Sequence, residues 1–182
     1  MTGFLKQKGG YRQLRVYKMT VIIYDLTFYF CSRYLKKGDR TIDQMIQAAR
    51  SGKQNIAEGS KAATTSAEME IKLTNVSLAS LEELMLDYED YLRVRGLALW
   101  SVKHPRMASL RSYVRSREFE TGYRLLFDRL NDEELANMAL TLINQSTYML
   151  RKLVEAQQEI FLEQGGVREQ MTRARLAARS KY

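Results

Sequence analysis

The sequence has few of the residues that carry most catalytic and metal chemistry. Its 182 residues include one cysteine, Cys31, one histidine, His104, and one proline, Pro105. A single cysteine excludes an internal disulfide and is typical of a reducing compartment. One cysteine and one histidine are too few nitrogen and sulfur ligands for a zinc site. A single proline leaves long helices uninterrupted almost everywhere.

Long apolar runs and a secretory leader are also missing. The most apolar stretch, residues 19–31, contains Asp25 and is shorter than the roughly 20 apolar residues that a membrane span needs. The basic residues near the start are not followed by an apolar block with a small-residue cleavage site. We therefore expect a cytoplasmic protein with no membrane partner.

The composition predicts one folded, all-α domain. Apolar residues make up 45% of the chain and charged residues 27%, which is ordinary for a globular protein. Periodicity predicts a helical bundle over residues 13–164, with helices at about 13–37, 41–62, 66–95 and 132–164 and an insertion at 97–131. A flexible basic arm, 1–12, and a basic helical suffix, 165–182, flank it. A strand competes at 21–29, which is rich in β-branched and aromatic residues, but no other segment looks like its partner.

Short polar and glycine signals predict where these helices begin and end. The predicted starts are Thr41 as an N-cap, a capping box from Thr65 to Glu68, and Asn131 as an N-cap; the predicted stops are Gly38, Gly96 and Gly165-Gly166. Gly52 lies inside the second helix, where it costs about 1 kcal/mol against alanine. We expect a bend or a tight packing point there.

The apolar residues of the third and fourth helices predict which of their faces are buried. The third carries two apolar stripes, one through Met69, Leu73, Val76, Leu84, Tyr88 and Tyr91 and one through Ile71, Leu78, Leu81, Met85 and Leu92. Two stripes indicate either a wide core seam or a core plus a subunit interface. The fourth helix is expected to bury Leu135, Met138, Leu142, Tyr148, Met149, Leu153 and Phe161, or a subset of them.

The net charge of +8 is unevenly distributed along the chain. Residues 1–40 carry +7, and residues 96–131 and 165–182 carry +4 each, whereas residues 63–95 and 132–164 carry −4 each. One interpretation is that basic and acidic helices neutralise each other within the bundle. The other is a surface that faces a polyanion, built from the first helix, the middle segment and the suffix.

Candidate catalytic and metal-binding residues are sparse. His104 stands alone beside Pro105, where a surface or capping role is favoured over a general base. Cys31 lies on an apolar helix and is expected to be a buried, inert thiol. The carboxylates Glu82, Glu83, Asp87, Glu89 and Asp90 spread around their helix rather than converge. We therefore predict no catalytic residue, no metal, no cofactor and no enzyme.

One motif connects the second and third helices with a known family. It consists of Ala48-Ala49 and Asn55-Ile56-Ala57-Glu58-Gly59, followed by Ser66-x-Glu68 and Ser80-Leu81-x-Glu83-Leu84. This order resembles the bacterial four-helix bundle protein family. The family includes proteins encoded in intervening sequences of large-subunit rRNA genes and the accessory variability protein of diversity-generating retroelements. The resemblance is strongest over residues 14–95.

The resemblance implies both an architecture and a partner. It implies an antiparallel up-down four-helix bundle that assembles as a homopentamer with a basic surface, and relatives that engage RNA or DNA together with a reverse transcriptase. Asn55, Glu58 and Gly59 form the family signature. We expect Gly59 to let the chain turn and Asn55 and Glu58 to bond exposed helix ends. The insertion at 97–131 departs from the family pattern, whereas the suffix looks like that of a family subset.

The sequence leaves two functions open. The first is a non-catalytic scaffold that binds RNA or DNA through basic residues: Lys6, Lys8, Arg12, Arg15, Lys18, Arg111, Arg115, Arg168, Arg175 and Arg179. Tyrosines among them, Tyr11, Tyr17 and Tyr113, are either half-buried packing residues or stacking platforms for bases. The second is an adaptor that docks an acidic protein partner through the suffix helix.

Overall fold

The computed structural model describes residues 10–179, and every regular element in that range is helical. The α-helices are α1 (Arg15–Tyr34), α2 (Arg40–Ala62), α3 (Ala67–Val94), α4 (Met107–Tyr113), α5 (Arg117–Gly122), α6 (Asp132–Gln164) and α7 (Val167–Arg179). Two 3-10 helices occupy Tyr11–Gln13 and Tyr123–Leu126. The all-α prediction is confirmed for this range, and residues 21–29 lie within α1 rather than in a strand.

The start of the predicted basic arm lies outside the described residues, together with Lys6, Lys8 and the last three residues of the suffix. Its end is structured, because Arg12 belongs to the first 3-10 helix, which contacts α1 and α2. The ring of Tyr11 meets that of Tyr17 edge-on, with the ring centroids 4.8 Å apart. Residues 11 and 12, at the end of the predicted flexible arm, are therefore part of a structured element.

The four long helices enclose one core. Helix α1 contacts α2 and α6, and α3 contacts the same two neighbours. Phe30 lies at the centre, with its ring centroid 5.0 Å from that of Tyr88 and 4.6 Å from that of Tyr91. The buried hydroxyl of Tyr88 donates to Thr27 Oγ1 at 3.0 Å, which satisfies a polar group inside the apolar core.

Helices α2 and α3 approach closely because glycine faces small polar residues. Gly52 is buried in α2, and a Cβ atom there would lie 2.7 Å from Leu81 Cδ2. Gly52 is thus a tight packing point, as the sequence predicts. In the first half of α3, Thr74 and Ser77 are buried while Met69 and Val76 are exposed, so the predicted stripes do not form one wide core seam there. The small side chains of Thr74 and Ser77 face Gly59 and the Gly52 carbonyl oxygen, and Leu81 packs directly on Gly52.

Most of the predicted helix ends are confirmed. Asn131 caps α6 through a capping box with Glu134, and Gly96 and Gly165 adopt positive φ angles just past α3 and α6. The Leu97 N–H donates to Leu92 O and the Gly96 N–H to Arg93 O, which is the Schellman arrangement.

Two predicted caps are wrong. Asp39 caps α2 in place of Thr41, by accepting a hydrogen bond from the Thr41 N–H at 2.9 Å. Ser66 caps α3 in place of Thr65, by accepting from the Met69 N–H at 3.0 Å, and its hydroxyl donates to Glu68. Helix α1 also ends at Tyr34, before the positive-φ turn at Gly38.

The core face of α6 matches the sequence only in part. Leu135, Met138 and Leu142 are fully buried, whereas Tyr148 is 62% exposed. The insertion contains α4, α5 and a 3-10 helix, and α4 lies between Pro105 and Ser116, where the sequence predicts a short helix. Among residues 10–179, no helix has the length and apolarity that crossing a membrane requires.

Candidate nucleic-acid interface

The insertion is fastened to α6 by two polar side chains. Asn137, which is 1% exposed, accepts a hydrogen bond from the Trp100 N–H at 2.8 Å and donates to Ala98 O at 2.9 Å. Glu133 accepts from the Ala98 N–H and from Trp100 Nε1, both at 3.0 Å. These hydrogen bonds lower the pKa of Glu133. The segment that leaves α3 is therefore held against α6 before α4 begins.

A second set of contacts holds the far end of the insertion against α1. The Tyr123 hydroxyl and an Arg124 guanidinium nitrogen both donate to Asp25 Oδ2 at 2.6 Å. The Tyr29 hydroxyl donates to Asp128 at 2.9 Å. Asp25 is the charged residue that interrupts the most apolar stretch of the sequence, and its place in α1 serves these contacts. The insertion is thus attached to two helices of the core.

An open groove of about 650 Å³ lies between this insertion and α6. We call it the arginine groove, because Arg15, Arg111 and Arg115 all line it. The three arginines come from α1, from α4 and from just past the end of α4. An Arg15 guanidinium nitrogen donates to the Arg115 carbonyl oxygen at 3.4 Å, which links the first helix to the insertion.

The positive charge of the arginine groove is only partly balanced. Glu89 is the one carboxylate that lines the groove. Within residues 10–179, none of the three arginines forms a salt bridge. An anionic ligand would therefore meet two net positive charges here, with the guanidinium groups of Arg111 and Arg115 exposed to solvent.

The opposite wall of the groove belongs to α6 and carries amides and an aromatic ring. Asn144, Gln145 and Tyr148 follow one another at helical spacing and all line the groove. Asn144 Nδ2 donates to Leu140 O at 2.8 Å within its own helix. Gln145 Nε2 is shielded from solvent and has no hydrogen-bond partner among the described residues. This wall therefore holds an unsatisfied donor, covered in this structure, on the same helix face as an exposed ring.

The other predicted basic residues within the described range do not line this groove. The Arg12 guanidinium lies 5.9 Å from the ring centroid of Tyr11, and Lys18 Nζ lies 3.8 Å from Glu120 Oε2. Arg168, Arg175 and Arg179 are exposed on α7, on the far side of the Gly165-Gly166 stop. Among residues 10–179, the structure therefore brings three of the predicted basic residues together and leaves Arg12, Lys18 and the three α7 arginines outside the groove.

The family-signature residues contact other parts of the fold. Gly59 lies within α2 without a positive φ angle, and a Cβ there would lie 3.3 Å from the Glu70 carbonyl oxygen of α3. Asn55 Nδ2 donates to Ser51 O and Oγ, and Ser51 Oγ lies 2.8 Å from Ser80 Oγ. Glu58 is exposed. Gly59 thus permits a close approach of two helices and not the turn predicted from the sequence.

The two residues with the most catalytic potential, Cys31 and His104, make packing and hydrogen-bond contacts within the fold. Cys31 is fully buried next to Met45, and burial raises the pKa of its thiol to about 12. His104 stacks on Trp100 with the ring centroids 4.2 Å apart, and its Nδ1 accepts a hydrogen bond from the Arg106 N–H. The described residues contain no cluster of three or more His, Cys, Asp or Glu side chains suited to a metal ion.

Sequence reasoning misses the α6 residues of the site. Apolar periodicity does not single out Asn137 and Gln145, and it assigns Tyr148 to the core because this residue falls near the apolar spacing of the fourth helix. The signal that is present is the row of polar residues Asn137, Thr141, Asn144 and Gln145, which interrupts the mainly apolar stretch 135–143 and continues just past it.

No family model matches the chain, and neither does a curated protein or a solved structure.

Proposed function

We propose that this protein is a non-catalytic scaffold that binds RNA or DNA through the arginine groove. The observation that carries the proposal is the convergence of Arg15, Arg111 and Arg115 on one groove. Arg15 lies almost 100 residues before Arg111 and Arg115 in the sequence, yet α1 and the region of α4 place the three together. Phosphate groups need positive side chains at approximate spacing, and guanidinium groups suit them best.

The same proposal includes the assembly. The four long helices form an antiparallel up-down bundle, and several bundles, five by the family resemblance, form a closed cytoplasmic oligomer. The support is exposed apolar surface on the long helices, at Phe28, Leu86, Val94, Ile160 and Leu162. Repeating one groove around a ring raises avidity for a long polyanion without any new contact. A reverse transcriptase is the protein partner that the resemblance suggests.

A non-catalytic role is supported by the state of the two most reactive side chains. The Cys31 thiol is buried and its pKa is raised, so it is protonated at neutral pH and is a poor nucleophile. The His104 ring is stacked on Trp100, and its Nδ1 accepts from a backbone N–H, which is a structural arrangement.

A salt series with two double variants tests the nucleic-acid proposal. Arg111→Glu/Arg115→Glu reverses two charges in the groove, and Arg33→Glu/Arg129→Glu reverses two exposed charges outside it. Both pairs change the net charge equally, so only the position differs. We expect the groove variant to bind oligonucleotides far more weakly, with a salt slope smaller by about 0.7 for each single-strand phosphate that it no longer neutralises. Equally weakened binding in both variants, or binding that does not depend on salt, would refute the proposal.

The suffix supports a second function, that of an adaptor for an acidic protein. Helix α7 buries no residue, and its Met171 and Leu176 are exposed. Its arginines Arg168, Arg175 and Arg179 share one face. A short basic amphipathic helix that buries none of its residues suits helix-in-groove docking. Deleting residues 166–182 separates the two functions, because an adaptor would lose its partner while oligonucleotide binding stays intact.

A further inference from the structure

The two aromatic rings at the arginine groove differ in their availability. Trp100 is 9% exposed, its ring is stacked on His104, and Arg106 lies 5.3 Å from its centroid. Its Nε1–H already donates to Glu133. Tyr148 is 62% exposed, and within residues 10–179 its ring pairs with no other aromatic or cationic side chain. Tyr148 is therefore the ring that a ligand in this groove can use.

The polar atoms next to this ring suit the edge of a base. Gln145 precedes Tyr148 by three residues, so the two side chains lie on one face of α6. Gln145 Nε2 is sequestered from solvent without a partner among the described residues. A sequestered amide donor lacking a partner is unfavourable, and a ligand acceptor that reached it would remove the penalty. The ring carbonyl and nitrogen acceptors of nucleobases are suitable groups.

The charged side of the same groove suits a phosphodiester chain. Arg111 and Arg115 are four residues apart and exposed, and Arg15 is held beside them by its bond to the Arg115 carbonyl oxygen. A groove of about 650 Å³ has the size of a pocket for a small ligand. It is a recess that admits a few nucleotide units, whereas a duplex presents its phosphates outward and keeps its base faces stacked inside.

We propose that the arginine groove binds single-stranded nucleic acid, with an unpaired base stacked on the ring of Tyr148 and its neighbouring phosphates on Arg111 and Arg115. This inference rests on the proposed function and specifies its ligand. Stacking on an aromatic ring together with backbone contacts to arginines is the general means by which proteins hold single strands without sequence preference. Gln145 then contacts the edge of the stacked base.

The test compares binding of labelled strands by fluorescence anisotropy. The probes are oligouridylate and oligodeoxythymidylate of about ten nucleotides, within the site sizes of single-strand binders, and a hairpin duplex of similar charge. We expect Tyr148→Ala to weaken single-strand binding by about five- to a hundredfold, the range for removal of one stacking ring. Tyr148→Phe keeps the ring and should bind like the wild type. Leu125→Ala removes an exposed apolar side chain that lines neither the groove nor the proposed subunit contact and should have no effect.

The salt dependence of binding distinguishes the contribution of the Tyr148 ring from that of the arginine charges. Because Tyr148 carries no charge, Tyr148→Ala should lower the affinity without changing the salt slope, whereas Arg111→Glu should change both. The affinities for oligouridylate and oligodeoxythymidylate can differ in either direction. Either preference supports the inference if Tyr148→Ala weakens binding of the preferred probe.

Three results would overturn the inference. In the first, the duplex binds as tightly as the single strands and Tyr148→Ala has no effect; the groove then holds phosphates only, and the nucleic-acid function survives. In the second, an oligoaspartate peptide of equal charge binds as tightly as oligouridylate, which shows that charge alone is recognised. In the third, no probe binds at low salt, and the proposed function fails as well. Circular dichroism and chromatography of each variant verify that it folds.

Discussion

The hydroxyl of Ser77 donates a 2.5 Å hydrogen bond to the backbone carbonyl oxygen of Gly52, across the interface between α3 and α2. The contact is buried, and it is possible because neither partner has a bulky side chain. The half of the α2–α3 interface that lies nearer to the α2–α3 connection therefore includes glycine, serine and threonine. Leu81 then fills the space directly over Gly52.

The first prediction concerns this packing point. An alanine Cβ at position 52 would lie 2.7 Å from Leu81 Cδ2 and 3.0 Å from Leu81 Cγ, and Leu81 is fully buried. Overpacking a core costs about 1–3 kcal/mol, and the better helix propensity of alanine returns at most about 1 kcal/mol. We expect Gly52→Ala to lower the free energy of unfolding by about 1 kcal/mol, measured by urea denaturation.

Two controls distinguish steric overlap from a general effect of alanine. At Gly122 a Cβ would meet nothing within 4 Å, so Gly122→Ala should cause no loss of stability. In a Leu81→Ala background the overlap is gone, and Gly52→Ala should become neutral or stabilising. If Gly52→Ala costs the same in both backgrounds, steric overlap with Leu81 is not its cause.

The second prediction concerns the attachment of the insertion. Asn137 bonds the Trp100 N–H, Ala98 O and Glu133 O from a fully buried position. Asn137→Leu leaves the buried Trp100 N–H without its acceptor, and a buried unsatisfied group costs about 1–3 kcal/mol. We expect the free energy of unfolding to fall by that amount, and a red shift in the emission of Trp100, the only tryptophan.

The matched control is Asn144→Leu on the same helix. Asn144 is exposed and its amide bonds only to the carbonyl oxygen of Leu140 in the preceding turn. This substitution should leave both the stability and the tryptophan emission almost unchanged. Equal effects of the two substitutions would mean that Asn137 does not anchor the insertion.

The limits of the sequence are visible in α3. Hydrophobicity alone places Met69 and Val76 on an apolar stripe, either in the core or at a subunit interface, but the structure exposes them and buries Thr74 and Ser77. A periodic pattern records which residues are apolar and does not record which are small. The close approach at Gly52 and Gly59 selects by size, so the buried face is rotated toward the small polar residues. The second half of α3, where Leu84, Tyr88 and Tyr91 are buried, follows the apolar pattern.

The groove shows a different limit. The helix-end signals at Gly96 and Asn131 depend on local chemistry and are predictable from the sequence. The meeting of Arg15 with Arg111 and Arg115 depends on how the insertion folds back over α1 and α6, through Asp25 and Asn137. These interactions join residues that are remote in sequence. Basic segments could thus be predicted, whereas their convergence could not.

The third prediction concerns the pH dependence of stability. Burial first, and then the charge of Asp87, raises the pKa of the Cys31 thiol from its usual 9.0 to about 12. The folded state therefore holds this proton more tightly than the unfolded state does. The resulting stabilisation is complete below pH 9 and disappears as the pH rises toward 12. We expect the free energy of unfolding to fall over that interval more steeply in the wild type than in Cys31→Ala.

Chemical labelling tests the same burial at neutral pH. Iodoacetamide should modify native Cys31 only as fast as the protein opens, and at once in denaturant. The control is the double variant Cys31→Ser/Ser32→Cys, which moves the thiol to the exposed neighbouring position on α1. Fast labelling of the native wild type, at the rate of the control, would contradict the buried state.

The last prediction concerns the suffix, whose helix α7 buries no residue. The hydrogen bonds at its start are local: the Gly166 N–H donates to Glu169, and an Arg173 guanidinium nitrogen donates to Gln164 O. Both stay within the region around the end of α6 and involve no core side chain. Since apolar burial supplies most folding stability, deleting residues 166–182 should change the free energy of unfolding by less than about 1 kcal/mol.

The control is Phe119→Ala, which removes a buried ring of the insertion and should cost about 3–5 kcal/mol. A deletion as damaging as Phe119→Ala would show that α7 contributes to the core, and it would then be a poor candidate for a docking element.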